Sequence, residues 1–357
     1  MKVKRIAGPL LFAAALLLCL WGANRFFMRP DSEQKYRNFF VENEKTQPFD
    51  VFWMGTSHVF DGVFPMELFR DYGIASYNLG NSSELVEFTE WTLRLALQYH
   101  KPKLIMLDVY YVDRSLKDEW AYSYRHLFMD AMPLSLLKIK AITSTMPNSY
   151  WDEYLVPLSL YHGRWEEMIA GTTEMMVNSV PCMMGAEMRT VIDPSNVPYE
   201  RVTEMNTEEM PGKEAIRRIA QICREEGIDL VLTAIPSAAT REEQMAMNSC
   251  QLLADEFGVP FVNMFDVPDL VDFKTDLYDG ISHLNPNGAL KVTAYLGKWL
   301  QENKDLPDRR KDPAYANWFD ILEEYEAYYD EVWGSVPLED KMVKKEDPEA
   351  EQEGTEE

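Results

Sequence analysis

The chain has 357 residues, 46% of them hydrophobic and 12% aromatic, which is enough for a sizeable core and excludes a wholly disordered polymer. Acidic residues outnumber basic ones 59 to 35, for a formal charge of -24, so the surface repels phosphate backbones and nucleic acid is excluded as a partner. Cys19, Cys182, Cys223 and Cys250 lack CxxC spacing, which argues against a metal site and against a disulfide framework, with room for one bond at most, and no cofactor is implied.

Lys2, Lys4 and Arg5 precede an uncharged run over 6–23, and Arg25 and Arg29 follow it. Such a run stands at the lower limit for a bilayer-spanning helix, and its basic start favours a cytoplasmic N-terminus. Residues 1–29 are therefore expected to be a single-pass membrane anchor. A cleaved signal peptide is the rival reading, although cleavage after Ala23 would place Trp21 at a position that favours small residues. Either way the main domain is expected outside the cytoplasm.

Residues 30–48 are polar and read as a linker. The run 50–54 (DVFWM) predicts a buried strand that Gly55 stops, and 75–79 predicts a second. Helical spacing of Leu85, Phe88, Trp91 and Leu95 marks 84–100, which Pro102 ends, and 103–109 (KLIMLDV) is a third strand. Residues 112–212 show no strand–helix alternation and are interrupted by prolines such as Pro133, Pro157 and Pro194. They are expected to be a large helical insertion over the top of the sheet. Alternation then returns, with a helix at 213–226, a strand at 229–235, a helix at 241–257, a strand at 260–264 and a closing helix at 288–302. Strands separated by helices imply a parallel sheet with right-handed crossovers, hence one three-layer α/β/α domain over 49–334. Residues 312–333 suggest amphipathic helix, and 335–357 suggest a disordered acidic tail.

Two segments carry chemistry. The first strand runs directly into Gly55-Thr56-Ser57-His58. Ligands of open α/β sheets bind beyond the carboxyl ends of the strands, so Ser57 stands where a nucleophile would; its plain alternative is to cap the next helix. The second segment, Asp279-Gly280-Ile281-Ser282-His283-Leu284-Asn285, sets an acid and a histidine just before the last helix. A serine hydroxyl needs a base to take its proton and a carboxylate to orient that base. His283 fits the base and Asp279 the carboxylate, with Asp276 as a substitute; the plain alternative for His283 is a surface loop histidine.

Together the two segments resemble the SGNH/GDSL hydrolase superfamily, over residues 48–111 and 213–302. The likeness is closest to membrane-anchored members of bacterial envelopes, such as the D-alanyl transfer protein of teichoic acid synthesis and the alginate O-acetyltransferase group. Ser57-His58 and His283-Leu284-Asn285 with Gly288-Ala289 carry it. Tyr161-His162-Gly163-Arg164-Trp165 and Asp308-Arg309-Arg310-Lys311-Asp312-Pro313 also resemble segments of exported members. The resemblance implies a flavodoxin-like sheet and an oxyanion hole formed by Ser57 with Gly80 and Asn81. It further implies acyl transfer to water or to a hydroxyl of an envelope glycan or polymer, with a membrane-bound O-acyltransferase as partner.

Three departures from the superfamily pattern stand out. Asp279 precedes His283 by four residues where the superfamily has Asp-x-x-His, the first block lacks an Asp, and no Asn follows the third strand, where Asp108 stands. They favour the alternative of an inactive SGNH-like scaffold or glycan-binding subunit. His58 and Asp108, and His162 with Arg164, are candidate pocket residues; their structural alternatives are packing or local hydrogen bonding under the loop for His58, a helix cap for Asp108, and a cluster that fixes the insertion for His162 with Arg164. A nucleotide-binding protein is disfavoured, since no Gly-rich loop follows a strand.

Overall fold

The computed structural model describes residues 2–27, 39, 48–117, 122–130, 132, 134–165, 180–195 and 199–343, without the side chains of 2–7, 25, 123 and 127. Five strands form one parallel sheet: β1 (Val51–Met54), β2 (Ser76–Asn78), β3 (Leu104–Asp108), β4 (Asp229–Ala234) and β5 (Phe261–Asn263). Their order is β2-β1-β3-β4-β5, and Val51 stands opposite Ser76 on one side and Leu104 on the other. Alternate residues of each strand enter different cores. Phe52, Met54, Ile105 and Leu107 belong to one, while Val51, Trp53, Leu104 and Met106 belong to the other. Burial on both faces is why β1, β3 and β4 read as largely apolar runs.

The helices are α1 (Lys2–Phe27), α2 (Ser57–Gly62), α3 (Pro65–Tyr72), α4 (Val86–Ala96), α5 (Tyr122–Met129), α6 (Leu136–Thr145), α7 (Trp151–Leu155), α8 (Leu158–Tyr161), α9 (Pro211–Glu226), α10 (Arg241–Asn248), α11 (Cys250–Phe257), α12 (Pro286–Asn303), α13 (Asn317–Tyr329) and α14 (Leu338–Lys341). Phe88 and Leu93 of α4 and Ile216 and Ile219 of α9 cover one face of the sheet; Leu68 of α3 and Val292, Leu296 and Leu300 of α12 cover the other. The result is a three-layer α/β/α fold with flavodoxin-like strand order. The helix expected over 241–257 is broken at Ser249, whose hydroxyl donates back to Ala246 O at 2.6 Å and competes with the helical ladder.

Of the inserted helices, α5 and α6 pack against α4, where Phe88 meets Phe128 at 5.5 Å, while α7 packs on α6 and α8 on α7 and α1. The part of the insertion that reaches the strand ends is the coil 180–195. Met184 O accepts from Asn78 N at 2.9 Å, Glu187 N donates to Phe60 O at 3.0 Å and Asp193 N donates to Leu277 O at 3.0 Å.

One further expectation changes. The stretch 335–343, expected as the start of a disordered tail, instead folds as α14 and forms a parallel bridge between Met342 and Ile192. The rest of that tail, 344–357, lies outside the described residues, as does most of the linker 30–48. Among the described residues no helix is long and apolar enough to cross a membrane. The described side chains of α1 begin at Gly8, so Ile6 and Ala7 of its apolar run fall outside them. Its far end is tied to the insertion, where Leu158 N donates to Asn24 Oδ1 at 2.7 Å and Arg164 Nη1 donates to Phe27 O at 2.9 Å. The four cysteines are free thiols, three of them buried.

Candidate active site

Gly55 makes the turn that presents Ser57. It adopts φ 140°, and a Cβ there would lie 2.8 Å from Asp108 Cβ, so only glycine fits between β1 and the end of β3. We expect Gly55→Ala to destabilise the fold by about 1–3 kcal/mol, read from a denaturant titration, because backbone strain and overlap coincide. Thr56, not Ser57, caps α2, its hydroxyl accepting from His58 N at 3.3 Å. Ser57 is thereby left for other work.

The other half of the site is pinned by α12. Asn285 caps that helix, its Oδ1 accepting from Asn287 N at 2.9 Å, while its Nδ2 donates to Leu277 O at 3.0 Å. Leu284 is buried, and Pro286 opens the helix. His283, one residue before this anchor, is held at the mouth of the strand ends.

The two segments meet. Ser57 Oγ stands 2.7 Å from His283 Nε2, across 226 residues of sequence. His283 Nδ1 stands 2.6 Å from Asp279 Oδ2, so the tautomer with hydrogen on Nδ1 donates to the carboxylate and leaves Nε2 to accept from the serine. The extra residue between Asp279 and His283 is absorbed by a tight turn. Gly280 takes φ 68°, and Asp279 Oδ1 accepts from the backbone N–H groups of Ile281, Ser282 and His283 at 3.0, 2.8 and 3.1 Å. Asp276 does not substitute for it: its Oδ2 accepts from Lys291 Nζ at 2.6 Å and from Asp272 N at 2.8 Å.

Electrostatics follow from this wiring. Burial pulls the His283 pKa down, but the Asp279 hydrogen bond and the charges of Asp61 and Asp279 outweigh it, so the imidazole ends above its ordinary value. Burial raises Asp279, yet the His283 hydrogen bond and the backbone amides hold it well below the usual carboxylate range. His58 is buried against Tyr110, with ring centroids 3.9 Å apart, and lies 5.4 Å from the His283 ring. Burial and the neighbouring His283 lower its pKa to about 3, so it is a neutral wall of the site.

The expected oxyanion donors divide. The Ser57 N–H meets no acceptor among the described residues. The Gly80 N–H does not point into the site as expected, because Asn78 Oδ1 accepts from it at 3.0 Å. The Asn81 N–H donates to Gly55 O at 3.0 Å, which ties that loop to the nucleophile turn. Asn81 Oδ1 accepts from Ser82 N at 3.0 Å, while its Nδ2 makes no hydrogen bond among the described residues. The available donors are therefore the Ser57 N–H and the Asn81 side-chain amide.

Three candidate pocket residues do other work. Asp108 braces β3 to β4, accepting from Ile235 N and Tyr110 N, both at 3.2 Å, and burial raises its pKa to about 7. Arg164 caps the end of α1, and the exposed His162 turns its Nδ1 to Ser159 O at 2.9 Å. Neither belongs to the site.

Sequence reasoning missed Asp61, Arg189 and Glu187. Asp61 lies one helical turn after Ser57 and is 1% exposed. Its Oδ1 accepts from Arg189 Nε at 3.1 Å, its Oδ2 has no partner among the described residues, and burial raises its pKa to about 7 despite the guanidinium. Arg189 also pairs with Glu187 at 3.2 Å and lies over the rings of Phe60 and Tyr278. The i,i+4 spacing from Ser57 could have signalled Asp61; nothing in the insertion marked Arg189. His126 was passed over as well: it pairs with Asp130 at 3.1 Å and stacks on Tyr154 at 3.9 Å, well inside the insertion. A scan of family models finds no match to this chain, and a search of curated proteins finds none either.

Proposed function

We propose that this chain is an extracytoplasmic serine hydrolase or O-acyltransferase of the SGNH type, held at a membrane by α1 and acting on acyl esters of an envelope glycan or polymer. The observation that carries the reading is the Ser57–His283–Asp279 relay at 2.7 and 2.6 Å. Ser57 Oγ attacks the acyl carbonyl carbon while His283 Nε2 takes its proton. The Ser57 N–H and the Asn81 amide bind the oxygen that becomes negative. His283 returns the proton to the leaving alcohol, which leaves an acyl-Ser57. Water or a glycan hydroxyl, deprotonated by His283, then attacks and regenerates the serine.

The anchoring part rests on α1, whose Leu10, Leu11, Phe12, Leu17, Leu18 and Trp21 are all exposed. A membrane-bound O-acyltransferase would be the source of acyl groups. The alternative of an inactive scaffold draws support from the Gly80 N–H, which Asn78 engages.

A fluorophosphonate probe separates the two. The hydrolase reading expects a covalent adduct mapped by mass spectrometry to Ser57 and absent from Ser57→Ala. A folded wild-type chain that forms no adduct decides for the scaffold.

A further inference from the structure

Three adjoining concavities, of about 460, 440 and 460 Å³, run along one side of the domain. The first two share Arg201 and Asp266, and the last two share Tyr199 and Phe273, so they form one continuous groove. It starts at β5, the edge strand of the sheet, below Tyr295 and Trp299 of α12. It ends at Ser195, whose N–H donates to Phe273 O at 2.8 Å. Two residues earlier, Asp193 binds Leu277 O through its N–H, and its carboxylate lies 3.1 Å from where a Cβ on Gly280 would stand. The far end of the groove is therefore two residues along the chain from a contact with the loop that carries Asp279 and His283.

Its lining selects a chemistry. Tyr295 and Trp299 are four residues apart on α12, so they leave the same face of the helix, and both line the first concavity. Both are half-buried, and neither the Tyr295 hydroxyl nor the Trp299 indole N–H makes a hydrogen bond among the described residues. Amphipathic rings with unused polar tips suit a ligand that offers both C–H faces and hydroxyls. Two cations line the groove: Arg201, which Asp266 holds with Gln244 Oε1 at 3.3 Å and Asn248 Oδ1 at 3.2 Å, and Lys274, whose Nζ donates to Ser195 O. A neutralised guanidinium and an engaged ammonium on a chain of charge -24 give a polyanion no foothold.

We propose that this groove binds an uncharged glycan strand, stacked on Tyr295 and Trp299, whose one end lies toward the loop that carries Asp279 and His283. The assignment of that strand as acyl acceptor or acyl ester rests on the function proposed above; binding itself does not.

The test is calorimetric titration of the full chain, in detergent micelles, with chitohexaose, cellohexaose and maltohexaose. Saturable binding of at least one is expected, equal in wild type and Ser57→Ala. It should weaken at least about tenfold in Trp299→Ala, as for truncation of an aromatic anchor. Thr203→Trp, which fills the groove from an exposed position, should weaken it as much without touching the core. No heat with any of the three sugars overturns the proposal, and so does unchanged affinity in folded variants. Tighter binding of alginate, or displacement of the sugar by an extended peptide that adds to the β5 edge, overturns it as well. Loss of Ser57 labelling with sugar binding intact sinks the hydrolase reading and leaves the groove standing.

Discussion

Ser57→Ala is expected to lower p-nitrophenyl acetate hydrolysis by about ten-thousand-fold or more, to the level left by the oxyanion donors and binding alone. The argument is geometric. Ser57 is only 9% exposed, so the value of its hydroxyl lies in the one partner it has among the described residues, His283 Nε2 at 2.7 Å. Alanine removes the attacking atom and leaves Thr56 to cap α2 as before, so the fold should melt where wild type does. Retention of more than about a tenth of the wild-type rate in a purified, folded Ser57→Ala chain would remove the nucleophile from the mechanism.

The second large effect concerns Asp279→Asn, expected to reduce kcat by about a thousand- to ten-thousand-fold. The asparagine amide can present a donor toward Nδ1, which favours the tautomer with hydrogen on Nε2, and that nitrogen can no longer accept from Ser57. A pH signature accompanies the loss. His283 acts as base only when neutral, and Asp279 and Asp61 hold its pKa above 6.5. Wild-type kcat/KM should therefore rise with pH along a limb centred above 6.5, then level off. With Asp279→Asn, a hydrogen bond and a charge that favour the imidazolium are gone, so the limb moves to lower pH. A limb that stays put in the variant, or moves upward, rules out Asp279 as the group that tunes His283.

The sheet was legible because its central strands β1, β3 and β4 are buried on both faces and read as largely apolar runs, and because loops and helices separate the runs regularly. Ser57 and His283 were legible for a related reason: each sits one step beyond an element with a strong signature, β1 on one side and the Asn285-Pro286 helix start on the other. Asp279 looked misplaced only because sequence spacing does not register that Gly280 adopts a left-handed conformation and folds the carboxylate back. The role of Gly80 was misread because a side chain elsewhere, Asn78, takes its N–H; motif position specifies a loop but not where its donors go. His162 and Arg164 looked like a pocket because they cluster with Trp165, whereas their setting is the end of α1. Arg189 was invisible because it comes from coil without periodicity and acts through Asp61, which only tertiary packing brings to it.

One contact at the opposite end of the sheet bears on where this domain stops. Arg309 grips the carboxylate of Asp50, the residue just before β1, through Nε at 2.7 Å and Nη2 at 2.8 Å, and its own N–H reaches Gly73 O at 2.8 Å. Asp50 is 2% exposed, and among the described residues only Lys103, 4.0 Å away, is a second cation beside it. A shortened chain ending after α12 would keep every residue of the relay and still leave that acid stranded at the root of the central strand. Removing one partner of such a buried pair costs about 3–5 kcal/mol, a large share of what holds a domain together. The Asp308–Pro313 segment is thus a clasp, and an expression boundary for this protein belongs beyond it.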